Sequence, residues 1–292
     1  MTESHTAAFG ERLAAAVAVN GPLCVGIDPH EYLLEEWGLP VNALGLHDFG
    51  MRVIEACAGE VAIVKPQVAF YERHGSAGFR ALEDLIGAAR AAGVLVLADA
   101  KRGDLGSTLQ AYAEAWLLPG SPLEADAVTV APYLGFGSLE PAFELAKSAG
   151  KGVFVLAATS NPEARELQTS ILQHGTASGS SVAGSMVSLV SERNATDYAG
   201  LSTGSLGVVL GATVDFADLG VDLASVATPP TTPVLAPGFG HQGARVADLR
   251  SVFGPAAPST LVAASRSILA AGPHGIVDAV RRQKHEVMEA IA

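Results

Sequence analysis

Eight short apolar runs punctuate this chain, and they limit its possible folds more than any other feature. They lie at 23–28 (LCVGID), 61–65 (VAIVK), 94–99 (VLVLAD), 126–131 (DAVTVA), 152–157 (GVFVLA), 206–211 (LGVVLG), 233–236 (PVLA) and 260–264 (TLVAA). Runs this short and this continuous suit parallel strands covered on both faces. Between them the period changes: Phe79, Leu82, Leu85, Ile86 and Ala89 follow helical spacing, as do Val182, Met186, Leu189 and Val190. Strands alternating with helices, at separations of about 25–40 residues, predict an α/β fold of the (β/α)8 TIM-barrel type, which typically takes ~250 residues. No composition shift marks a second unit, so residues 1–292 are read as a single TIM-barrel domain. A doubly wound open sheet is the alternative. It would carry G-x-G-x-x-G after its first strand, where this chain has GIDPHE, and no P-loop occurs elsewhere. The widest gap, between the fifth and sixth runs, contains HGTASGSSVAGS, read as a surface loop before a helix.

Hydrophobic residues make up 49% and charged residues 16% of the chain, against roughly 25% charged in an average soluble domain. That excludes disorder and makes the position of each charge informative. A formal net charge of −12 argues against broad binding to nucleic acid or an anionic membrane, while leaving room for a local anion site. The longest charge-free stretches, such as 167–191, are rich in Ser, Gly, Thr and Gln, so no membrane span is expected. No signal peptide is read at the N-terminus, and Cys24 and Cys57 make no disulfide framework; a reducing cytoplasm is the expected setting. Met and aromatic positions read as core, and the eight histidines, which form no ligand set, as surface or structural; no metal site is expected.

In a barrel, the C-terminal ends of the strands face the active site. Asp28 ends the first run, Lys65 the second, and VLVLADAKRGD carries Asp99 and Lys101 at the end of the third. Two residues apart, Asp99 and Lys101 share a face if the strand persists, and Asp104 follows on the loop. An isolated D-x-K-x-x-D is also what a solvated strand end with an ion pair would show. Directly after VLVLA, with charges on two other strand ends, it reads as a site. A lysine flanked by carboxylates remains an ammonium, suited to stabilising a carbanion and protonating it, and unsuited to Schiff-base chemistry.

The second feature is APGFGHQG (236–243) after the seventh run, followed by AASRS (263–267) after the eighth. Barrels often bind phosphate with these two loops. Gly238, Gly240 and Gly243 permit close backbone approach, Gln242 offers an amide and Arg266 a forked cation. Ser160 and Asn161, in AATSNP after the fifth run, suit either substrate contact or turn capping.

At LADAKRGDLGST the chain resembles the orotidine 5′-phosphate decarboxylase family, in particular its longer bacterial form. CVGIDPH, IVKPQVAFYE, APYLGFGSLEP, VLAATSNPE and APGFGHQG agree in order, covering most strand ends from 23 to 267. The combination is specific, whereas D-x-K-x-x-D alone also occurs in related phosphosugar barrels. The resemblance implies a barrel without metal or cofactor that forms a homodimer and converts orotidine 5′-phosphate to UMP and carbon dioxide in pyrimidine synthesis. It implies Lys101 as proton donor to C6, and Asp99 beside the substrate carboxylate, holding Lys101. By the same resemblance Asp104 enters the neighbouring subunit's site with Thr108 close behind. Asp28 and Lys65 would contact ribose hydroxyls, Ser160 the pyrimidine, and Gln242 and Arg266 the phosphate. Phe239 and His241 depart from the smaller residues common in the family. Two rivals remain on residues alone: a magnesium-dependent phosphosugar enzyme, which would want an acid where Lys65-Pro66-Gln67 stands, and an inactive phosphometabolite-binding barrel.

Overall fold

The computed structural model describes residues 7–240 and 243–292. Eight parallel strands close in sequence order into one barrel: β1 (Leu23–Ile27), β2 (Ile63–Pro66), β3 (Leu95–Arg102), β4 (Ala127–Val130), β5 (Gly152–Ala158), β6 (Leu206–Leu210), β7 (Val234–Ala236) and β8 (Thr260–Ala264). All eight apolar runs became strands, and the ladder β1–β8 closes the ring through Leu23↔Val262 and its neighbours. The helical periods at 79–89 and 182–190 fall in helices Gly75–Ala91 and Val182–Asp197. The 174–185 segment is irregular up to Ser181, whose hydroxyl caps the second of these helices by accepting from Gly184 N–H at 2.9 Å.

Because side chains alternate along a strand, each strand sends every second residue into the barrel. Cys24, Ile63, Leu97, Ala127, Phe154, Val209, Leu235 and Leu261 meet there in an apolar cluster. The opposite faces pack on the helices in a second, larger core that includes Val25, Val64, Val96, Val128 and Val208. One step further along the inward-facing rows the chemistry changes: Cys24 is followed by Gly26 and Asp28, Ile63 by Lys65, Leu97 by Asp99, Ala127 by Thr129. The apolar layer is therefore the floor under a polar one.

Helix Phe9–Asn20, which the sequence reading did not single out, seals the opposite end. Phe9 is fully buried and meets Phe154 edge to face, with ring centroids 6.1 Å apart. Arg12 ties the same helix to the barrel by donating to Asp126 Oδ1 (2.6 Å) and to Gly150 O (2.9 Å). The expectation that aromatic and Met positions are core holds for Phe9, Phe154 and Tyr71 and fails for Tyr133 and Met288, which are exposed. Both cysteines are buried and free. Among the described residues no helix is long and apolar enough to cross a membrane.

Gly152 opens β5 beneath the Phe9 ring, where an added Cβ would lie 2.4 Å from Phe9 Cδ1. Overpacking of this kind costs about 1–3 kcal/mol. Gly152→Ala should therefore lower the urea midpoint without changing the slope of the transition. An unchanged midpoint would mean that the Phe9 plug yields freely.

Candidate active site

The site begins with an irregularity in the β3–β4 ladder. Ala98 pairs with Val128 and Arg102 with Val130, so β3 advances four residues while β4 advances two. The extra length holds Asp99, Ala100 and Lys101, and it turns both charged side chains toward the barrel mouth. Lys101 takes φ 49°, the one positive value at a non-glycine position among the described residues. Its N–H donates to Thr129 Oγ1 at 2.9 Å.

Around Asp99 the polar layer is knit into one network. Oδ1 accepts from Lys101 Nζ at 2.6 Å and from the Thr129 hydroxyl at 2.8 Å, and Oδ2 accepts from Lys65 Nζ at 3.0 Å. Lys65 Nζ lies 3.9 Å from Asp28 Oδ1. Gln67 joins the network: with its amide nitrogen toward Asp99, it donates to Oδ2 at 2.6 Å and its oxygen accepts from Lys101 Nζ at 3.3 Å. Lys65 and Asp99 are each only 8% exposed. Burial works against both charges, yet Asp99 and then Asp28 hold the Lys65 ammonium above the usual lysine range, and Lys65 and then Lys101 hold the Asp99 carboxyl below the usual carboxylate range. Burial pushes the neighbouring Cys24 thiol up to about 12, which keeps it neutral.

Asp28, Lys65, Gln67, Asp99 and Lys101 line a cavity of ≈ 280 Å³ at the C-terminal ends of the strands. Leu156, Val209, Leu235 and Ala263 supply an apolar surface, and Ser265, Arg266 and Ser267 after β8 complete the lining with Pro237, Gly238 and Phe239 after β7. Arg266 is half-buried and has no ion pair to another described residue, and the buried Ser265 Oγ has no hydrogen-bond partner. The arrangement thus offers a paired charge cluster at the ends of β1 to β3, a cation after β8 with no ion pair to another described residue, and an apolar surface from β5 to β8. Such a site suits an anionic, partly planar ligand.

Of the residues singled out from sequence, Asp28, Lys65, Asp99, Lys101 and Arg266 meet around this cavity. Ser160 is exposed just beyond it, and its neighbour Thr159 is the lining residue. Gly240 sits in a tight turn (φ 75°) with its N–H on Ala244 O, outside the cavity lining. Asp104, whose carboxylate accepts from Leu105 N–H at 2.8 Å, and the exposed Thr108, in the first turn of helix Gly106–Leu117, do not line their own barrel's cavity. Gln242 and His241 lie outside the described residues. The sequence reading missed Thr129, Gln67 and Gln168. Gln168 clamps Thr159 by accepting its N–H (3.0 Å) and donating to its hydroxyl (2.9 Å). A lone hydroxyl inside DAVTVA was the one available signal for Thr129; Gln168 left none.

The charge cluster sets a pH window for stability. Asp99, with its folded pKa lowered, contributes stability that is complete above its unfolded value of about 4 and is lost as pH falls through the folded value. Lys65, raised, contributes stability complete below about 10.5 and lost as pH rises through its folded value. Asp99→Asn should cost about 3 kcal/mol at pH 7, since it leaves Lys65 buried without its nearest partner. Urea titrations at pH 7, 5 and 2.5 should show the gap between wild type and variant nearly constant down to pH 5 and narrower at 2.5. A gap unchanged at pH 2.5 would contradict this.

Comparison with known proteins agrees with the geometry. The profile of the orotidine 5′-phosphate decarboxylase / HUMPS family matches residues 21–277. The chain is 51% identical over 273 residues to the orotidine 5′-phosphate decarboxylase of Corynebacterium efficiens, covering 92% of each. It is 53% identical over 265 residues to that of Salinispora arenicola, covering 91% of each. Among solved structures it matches a putative orotidine 5′-phosphate decarboxylase from Streptomyces avermitilis with a TM-score of 0.90 at 46% identity, over 100% of this chain and 98% of that one. A closed eight-stranded barrel with this charge cluster at its mouth, and relatives sharing half its sequence over nearly its whole length, lead to one conclusion: the chain belongs to the orotidine 5′-phosphate decarboxylase family.

Proposed function

We propose that this chain is a carboxy-lyase that converts orotidine 5′-phosphate to UMP and carbon dioxide, with Lys101 as the proton donor. The observation that carries the reading is the Lys101 ammonium held 2.6 Å from a buried carboxylate at the mouth of the barrel. In the reaction the bond from C6 to the carboxylate carbon breaks and carbon dioxide leaves. The electron pair stays on C6, where the adjacent ammonium stabilises it. Lys101 then gives a proton to C6, and its half-exposed position lets solvent reprotonate the amine.

The remaining groups bind and orient. Asp99, tied to both lysines, lies beside the substrate carboxylate, and Asp28 and Lys65 take the ribose hydroxyls. Arg266, without an ion pair to another described residue, receives the phosphate together with Gln242 and the backbone at Gly240; Ser160 reaches the pyrimidine. Binding at the phosphate positions the ring over Lys101 from a distance. The positive charge that the transition state needs comes from lysine, so this chemistry requires no metal or other cofactor. We take residues 1–292 as one domain working in the cytoplasm, in keeping with two free, buried thiols.

The same reading makes the enzyme a homodimer with shared sites. Asp104 and Thr108 do not line their own cavity, and exposed apolar side chains stand on this loop and the next: Leu105 (58% exposed) on the same loop, Tyr133 (79%) and Leu134 on the loop after β4. The two loops leave neighbouring strand ends, joined by Ala131 N–H to Arg102 O at 2.8 Å. This supports a partner surface over the Asp104 loop, with Asp104 and Thr108 entering the partner's site.

The test uses the loss of ultraviolet absorbance of orotidine 5′-phosphate as its readout. Lys101→Ala and Asp104→Ala chains are each assayed alone, then unfolded, mixed and refolded together. In the hybrid dimer, the site built on the Asp104→Ala chain keeps its own Lys101 and receives an intact Asp104 from its partner, while the other site carries both lesions. Mixtures should regain activity that neither parent shows. No recovery despite demonstrated subunit exchange would refute the shared site, and a wild-type chain that leaves orotidine 5′-phosphate unchanged would refute the activity itself.

A further inference from the structure

The lengthened stretch of β3 leaves the Lys101 N–H without a carbonyl from the β4 ladder: Arg102, the next residue, resumes pairing with Val130. The acceptor that takes its place is a side chain, Thr129 Oγ1, at 2.9 Å. A hydroxyl carries one proton. With a lone pair committed to the Lys101 N–H, that proton points to Asp99 Oδ1 at 2.8 Å, the oxygen that also holds Lys101 Nζ at 2.6 Å. Thr129 therefore touches the lysine's backbone directly and its ammonium through one shared oxygen.

We propose that Thr129 is a positioning residue for decarboxylation, fixing both ends of Lys101 so that its ammonium stays aimed at the reacting carbon. The proposal rests on the reading of Lys101 as proton donor and extends it to the residue that holds the donor in place. Two observations and one general argument carry it. Lys101 sits at φ 49°, a strained conformation for a side-chain-bearing residue that persists only where the surroundings impose it. Thr129 is fully buried and absent from the cavity lining, so it acts through other groups and touches no ligand itself. A free lysine side chain has many rotamers, and a donor that wanders by about 1 Å can lose on the order of 10²-fold in rate.

The experiment compares Thr129→Val, which keeps the shape and removes the hydroxyl, with Thr129→Ser, which keeps the hydroxyl and removes a methyl. Steady-state turnover of orotidine 5′-phosphate and thermal unfolding are measured for both, with Lys101→Ala as control. Thr129→Val should lower kcat about 10- to 100-fold with KM within about twofold of wild type. Thr129→Ser should recover most of the lost turnover, because the hydroxyl rather than the packing is what positions the lysine. If Thr129→Val does not fold, Thr129→Ala is read by the same criteria. A Thr129→Val enzyme with near wild-type kcat overturns the proposal, as does a Thr129→Ser enzyme as slow as Thr129→Val, or a loss confined to KM. The control separates two failures. Fast Thr129→Val beside inactive Lys101→Ala sinks only the role of Thr129, whereas an active Lys101→Ala sinks the role of Lys101 on which it rests.

Discussion

One buried carboxylate organises the mouth of this barrel. Asp99 accepts from two ammonium groups and a hydroxyl, and each of these donors would be poorly placed without it. Lys65 lies almost out of contact with water, where an unpaired ammonium tends to shed its proton. Lys101, exposed on its far side, would be free to sample many rotamers. Asp99 keeps the first charged and the second aimed. The cost of desolvating three such groups is offset only because they meet at hydrogen-bond distance. That requirement is met by strands, since neighbouring β2, β3 and β4 hold their inward-facing side chains at fixed spacings. A loop would not hold them so closely.

The rest of the barrel supports that layer from below. Its interior is filled by apolar side chains from all eight strands, closed at the far end by Phe9 and anchored by Arg12 on Asp126 and Gly150. With the interior packed, the polar residues sit on a floor that cannot collapse, and the sole departure from regular pairing along β3 falls at the functional pair. Leu156, Val209, Leu235 and Ala263 line the same cavity with an apolar surface, and Arg266 lines it from the loop after β8. The site thus carries two kinds of polar chemistry, a network of paired charges at the ends of β1 to β3 and, after β8, a cation with no ion pair to another described residue, which suits a ligand with more than one polar group.

Much of this was legible in the chain. In a sequence with few charges, a carboxylate or lysine closing an apolar run stands out, so Asp28, Lys65, Asp99 and Lys101 were visible, as were the eight strands. Other features escaped for identifiable reasons. Helix Phe9–Asn20 is Ala-rich with few strong hydrophobes, and its packing depends on Phe9 finding the barrel end. The two extra residues in β3 leave no mark in VLVLADAKR, because they are defined by the neighbouring strand. Thr129 is a β-branched residue within DAVTVA, and strand propensity alone explains its presence there. Thr159 was passed over for Ser160 because adjacent hydroxyls at a strand end are indistinguishable until the turn is drawn. That Arg266 makes no ion pair to another described residue is a property of what surrounds it in space.

The account stands most directly on Lys101. Turnover of orotidine 5′-phosphate should be measured for folded Lys101→Ala against wild type, following ultraviolet absorbance at saturating substrate. Loss of a group that both stabilises the developing charge and delivers the proton predicts a fall in kcat of at least about 10³-fold, with the unfolding transition still cooperative. A folded Lys101→Ala enzyme within about tenfold of wild type would fall well short of the loss expected for such a group and would contradict the account.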